Sequence, residues 1–158
     1  MSQINVNTIG ARTGTTISIA SGHTLSGLGS GIIVADQFNL TTDITSPTNG
    51  SQTDITTNLS RSTGTLGGGN LGTAMSLSSG IFTFPSTGYY LVTLTGRMKS
   101  NTSPTNMFVT STDDNFSSEQ NIIVLQVYDA DSGDTSITAS GNALLDITNT
   151  SNDKVKLS

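Results

Sequence analysis

A chain of 158 residues has room for one domain and a short extra segment, and can bury roughly two-thirds of its unfolded surface. Six Lys and Arg against eleven Asp and Glu exclude the basic stripe that neutralises phosphates, the lack of cysteine excludes disulfides and thiolate metal sites, and no apolar run approaches the ~20 residues of a membrane-spanning helix. Leu, Ile, Val and Phe number 38, enough for a core, while Ser, Thr, Asn and Gly number 80, half the chain, a balance that suits a rigid, sparsely charged β scaffold better than an enzyme.

Residues 1–34 stand apart from the rest. Ile4 and Val6, with a shift to Ile9, predict one short strand, and Ile17 with Ile19 a second, joined by the turn Gly10-Ala11-Arg12-Thr13-Gly14. The run Gly27-Leu28-Gly29-Ser30-Gly31 reads as a flexible hinge. Two isolated short strands cannot bury a core, so this segment needs neighbours from identical chains or from another protein. It reads as an anchoring segment, with Ile4, Val6, Ile9, Ile17 and Ile19 as its anchoring side chains. His23, the single histidine, has no local acid or nucleophile with which to build a triad and reads as a turn or interface residue.

Beyond the hinge, strand candidates follow at sandwich-like intervals: 32–35, 38–42, 54–59, a central pair within 80–98, then 107–112, 122–128, 136–139, 143–148 and 155–157. Gly67-Gly68-Gly69-Asn70 is a bare loop, without the following Lys and Ser/Thr of a phosphate loop. Nowhere do apolar residues keep helical spacing for three turns, so the chain is read as all-β. The central stretch 80–94 is read as two aromatic-rich strands flanking a Pro85-Ser86-Thr87-Gly88 turn, a hairpin-like element. Phe82 and Phe84 share one face of its first strand; Tyr90, Val92 and Leu94 share one face of the second, and Tyr89, Leu91 and Thr93 the other. Phe38, Phe82, Phe84 and Phe108 are expected in the core. Either the Tyr89/Leu91 row or the Tyr90/Val92 row is expected to meet a partner subunit, because both are apolar and only one can face the core.

The pattern Gly-x-Phe-Thr-x-Pro-x-x-Gly-x-Tyr-x-Val, as it stands from Gly80 to Val92, resembles the globular head domain of complement-one-q and tumour-necrosis-factor proteins. Asp36-Gln37-Phe38-Asn39-Leu40 and Leu71-Gly72-Thr73-Ala74-Met75-Ser76 extend that resemblance over residues 35–158. It implies a jelly-roll β-sandwich that trimerises around a threefold axis, preceded here by the short β attachment segment. Versions opening with a similar Asp-Gln-aromatic stretch are similar to domains on tailed bacteriophage virions, and Ile4-Asn5-Val6-Asn7-Thr8-Ile9 with Ile19-Ala20-Ser21-Gly22-His23-Thr24-Leu25 resembles amino-terminal segments of marine phage fibre proteins. The family pattern has one more strand after 155–157. The resemblance therefore implies a final strand supplied from elsewhere, or a sequence that is part of a longer protein.

Chemistry-bearing candidates are few. Asp113-Asp114 precedes Asn115 in what reads as a solvated turn. Asp129, Asp131 and Asp134, spaced as carboxylates at the start of a calcium loop, are weak metal candidates: Ser140 stands where the helical motif would put its last acid. No cofactor is expected, with Ca²⁺ the outside possibility. Three functions compete for these residues. A trimeric virion module of fibre, spike or capsid-decoration type, anchored through residues 1–34 to other virion proteins, is favoured. A host-surface head binding a receptor or glycan is the alternative, disfavoured by the lack of Trp and by three Tyr all within strands. An enzyme is not expected, since glycan cleavage needs paired carboxylates in a cleft. With no charged leader and apolar core at the start, the expected location is the virion, reached from a host cytoplasm by lysis, with neither nucleic acid nor membrane as partner.

Overall fold

The computed structural model describes residues 31–45, 50–63, 68–99, 104–128 and 136–158. Ile4, Val6, Ile9, Ile17, Ile19 and His23 lie outside the described residues, as do Asp129, Asp131 and Asp134. The chain divides into two compact units, Met1–Ile32 and Ile33–Ser158. The described strands all belong to the second.

This second unit is all-β, with no helix among the described residues. In chain order the strands are β1 (Ala35–Asp36), β2 (Phe38–Leu40), β3 (Leu59–Arg61), β4 (Asn70–Leu71), β5 (Ser76–Ser78), β6 (Ile81–Thr83), β7 (Gly88–Lys99), β8 (Thr105–Thr112), β9 (Gln120–Val127), β10 (Ser136–Ile147) and β11 (Lys154–Leu157). One sheet has five antiparallel strands in the order β5-β6-β11-β8-β9. Facing its β8–β9 side is a long two-stranded ladder, β10-β7, paired without interruption from Gly88/Ile147 to Lys99/Ser136. The short ladders β2–β3 and β1–β4 complete the unit.

The core lies between the five-stranded sheet and the ladder. Phe82, Phe84, Val109, Ile123, Leu125, Val127 and Val155 point into it from one side, and Leu94, Met98 and Ile147 from the other. Alternation explains this set: those within strands occupy alternate positions, and Phe84, just past β6, continues the row of Phe82, so one face is removed from water while the other stays wet. Gly141 permits the close approach of the two layers, since a Cβ there would stand 2.8 Å from Ile123 Cγ2.

Five expectations are corrected. The central stretch is not a hairpin: β6 pairs with β5 and β11, whereas β7 pairs with β10, so the Pro85–Gly88 connection carries the chain from one layer to the other. The strand expected at 54–59 is instead β3, which begins at Leu59, and 32–35 contributes only the first residue of β1. Segments 136–139 and 143–148 belong to one continuous strand, β10, because Gly141 interrupts the apolar pattern but not the ladder. Phe108 is not core. Val109 holds the inward position, so alternation turns Phe108 to the outer face, half-buried across from Val124; the bulge that follows, between Val109 and Thr110, buries those two in succession.

Phe38 is half-buried against Phe82, ring centroids 4.9 Å apart and nearly perpendicular. A charged clasp holds it there. Arg61 lies 4.8 Å over the Phe38 ring and donates from Nε and Nη2 to the two Asp36 oxygens at 2.7 and 2.9 Å; Nη2 also donates to the Met75 carbonyl at 2.5 Å. Met75 N–H returns a bond to Asp36 Oδ2 at 2.9 Å, so one carboxylate ties together β1, β3 and the chain entering β5.

Candidate functional site

The two faces of β7 settle differently. Tyr90, Val92 and Leu94 face inward: the Tyr90 ring packs tilted against Phe84, centroids 4.7 Å apart, and its hydroxyl donates to the Ser86 carbonyl at 3.0 Å. That row packs against the core, with Tyr90 and Val92 half-buried and Leu94 buried. Tyr89 and Leu91 point outward and are 74% and 69% exposed.

Register brings a third apolar group to them. Leu91 lies directly across from Leu144 of β10, which is also 69% exposed, and Tyr89 lies across from Asp146. Opposed residues on one face stand about 5 Å apart and successive outward residues about 7 Å, so Tyr89, Leu91 and Leu144 form one continuous patch. Further along the same face the pairs are polar, Thr93/Asn142 and Thr95/Ser140, and then basic at Arg97, across from Thr138. The outer face of the ladder thus runs from an apolar end edged by one carboxylate to a cationic end roughly 25 Å away.

The polar groups of this face are spread along a flat ladder, with Asp146 across from Tyr89 at one end and Arg97 at the other. What it can do is bury area. An apolar cluster on a rigid, fully paired ladder is preorganised, so docking costs little ordering entropy. Leu144 went unnoticed in the sequence, although the signal was present. Leu144 and Leu145 are adjacent in a strand, and period-2 geometry forces one of two neighbouring leucines outward.

The other residues singled out from sequence are not brought to this face. Asp114 organises the β8–β9 loop, accepting from Ser118 hydroxyl at 2.6 Å, Ser118 N–H at 2.8 Å and the Thr112 hydroxyl at 2.8 Å. Those bonds, the Ser118 hydroxyl first, hold its carboxyl below the usual range. Among the described residues no three metal-ligating side chains converge. No family model matches the chain, and no curated protein or solved structure matches it.

Proposed function

We propose that this domain is a structural assembly module, a homotrimeric jelly roll built into a tailed-phage virion as a fibre, spike or capsid-decoration element and attached through residues 1–34. The observation that carries the assembly part is the exposed Tyr89–Leu91–Leu144 patch on a ladder whose opposite face is already packed. Large apolar groups placed side by side on the wet face of a sheet are a cost to a solitary domain and a benefit to an associated one. The order β5-β6-β11-β8-β9 opposite β10-β7 supports the jelly-roll reading of the sandwich. Threefold rather than twofold closure, and the virion setting, rest on the sequence resemblance of residues 80–92 and of the amino-terminal segment.

The test is sedimentation of the full chain and of Leu91→Asp. The wild type is expected to sediment as a trimer. Leu91→Asp is expected to yield a monomer with an unchanged β-type circular dichroism spectrum, since the side chain contributes nothing to the core. A soluble Leu91→Asp trimer would show that the interface lies elsewhere, and a monomeric wild type would end the assembly reading.

A further inference from the structure

Away from the β7–β10 face, a groove crosses one end of the five-stranded sheet, where residues 50–58, the β5–β6 turn and the β8–β9 loop meet. Its apolar half is a cavity of about 210 Å³ between Ile55, Ile81, the Ser79–Gly80 backbone and the ring of Phe116. Its polar half, about 570 Å³ and more open, is bounded by Gln52, Glu119 and Asn121. Asp54 and Lys156 line both halves, so the two are continuous.

The charges in the groove are arranged but not exhausted. The Lys156 side chain is only 11% exposed, and its ammonium donates to Asp54 Oδ2 at 2.9 Å and to Glu119 Oε1 at 2.7 Å. The same ammonium lies 5.0 Å from the centre of the Phe116 ring. Burial alone would lower its pKa, but the bonds to Glu119 and Asp54 outweigh it and hold the value above the ordinary lysine range. Asp54 and Glu119 are 45% and 38% exposed, and their second oxygens, Oδ1 and Oε2, meet no donor among the described residues and are open to solvent. The amides of Gln52 and Asn121 bond each other, Thr110 and Ser158, which makes a fixed polar floor.

The rim is built in unfavourable backbone. Ser79, Asn115 and Phe116 have φ of 50°, 58° and 68°, left-handed values that are uncommon outside glycine and, for a bulky residue such as Phe116, strained. Gly80, at φ 81°, admits no side chain: a Cβ would stand 2.3 Å from the Ile55 carbonyl oxygen. Phe116 is held in place by its N–H, which donates to the Thr112 hydroxyl at 2.8 Å. The loop thus sets an aromatic ring beside the ammonium that the two carboxylates share. Phe116 is half-buried, lies outside the main hydrophobic cluster and borders the cavity beside Ile55 and Ile81.

We propose that this groove binds a saccharide that is neutral or carries an amino group. The C–H face of a sugar ring packs on Phe116, and its hydroxyls donate to Asp54 Oδ1 and Glu119 Oε2 as charge-assisted bonds. Two carboxylates against one ammonium leave the groove negative, and the chain carries a net charge of −5, so uronic or sialic acids are repelled. This goes beyond the assembly role and does not depend on the subunit count.

The experiment is an amide ¹H–¹⁵N titration of the full chain with neutral trisaccharides of glucose, galactose, mannose and N-acetylglucosamine, with the glucosamine trisaccharide, and with trigalacturonate. At least one neutral or amino sugar is expected to shift the Gly80, Phe116, Glu119 and Lys156 amides with a Kd in the mM range, whereas trigalacturonate leaves them unmoved. Glu119→Gln and Phe116→Leu are each expected to weaken that binding about tenfold, the loss of roughly one charged hydrogen bond or one ring contact, with sedimentation unchanged. The proposal is overturned by any of three results: no neutral or amino sugar moves these amides at about 20 mM, trigalacturonate binds as well as they do, or both variants bind like the wild type.

Discussion

Asp36 shows how much one side chain can organise. Its carboxylate is 1% exposed and receives two bonds from Arg61, one from Met75 N–H and one from Gln37 N–H. Burial alone would raise its pKa, but the Arg61 bonds, the Met75 amide and the Arg61 charge together bring it below the ordinary value. A carboxylate with a lowered folded pKa stabilises fully above its unfolded pKa of about 3.9, and that contribution is lost as pH falls through the folded value. Asp36→Asn is therefore expected to lower the unfolding free energy by about 2–3 kcal/mol at neutral pH. In urea melts, the gap to the wild type should stay constant above pH ~4 and narrow below it. A gap that widens in acid would show the clasp to be mis-assigned. The sequence pointed to Asp36 only through its place in a resemblance. Its partners stand 25 and 39 residues away, and no local pattern announces a contact at that separation.

At the scale of elements, alternation carried most of the information. It placed Phe82 and Phe84 together, separated Tyr89 from Tyr90, and marked β7, β8, β9 and β11 within a few residues. Phe108, expected inside with the other phenylalanines, is turned outward by alternation itself, because Met107 and Val109 hold the inward positions ahead of the bulge. A hairpin is expected at Pro85–Gly88 because a turn signal says that the chain reverses, not which strand it then joins. The close contact at Gly141 gives a test of the layer geometry. Gly141→Ala pushes a methyl against Ile123 and is expected to cost about 1–3 kcal/mol in chemical unfolding, the usual penalty for overfilling a packed interior. Phe84→Ala, which empties a site 3% exposed beside Tyr90, should cost more, about 3–5 kcal/mol. Equal or reversed costs would mean that the ladder and the five-stranded sheet are less tightly apposed than they stand here.

For the whole molecule, folding and association become one question if the Tyr89–Leu91–Leu144 patch is an interface. A subunit stabilised by copies of itself melts higher as concentration rises, because mass action favours the assembled state. Heating the wild type at concentrations a hundredfold apart, about 1 and 100 μM, is expected to shift Tm upward by several degrees. Leu144→Asp should abolish the shift while leaving the low-concentration Tm nearly unchanged. A concentration-independent Tm in the wild type would contradict an obligate assembly.

The amino-acid order alone determined the class of fold and the face on which most side chains of each strand lie. Both depend on neighbours one or two positions apart, which any window of sequence contains. Tertiary structure alone decided that β7 pairs with β10 rather than with β6, that Leu144 joins Leu91, and that Phe116 lies over Lys156. Those contacts join residues tens of positions apart. Their free energy arises only when the intervening chain has already been ordered, so nothing local in the sequence records them.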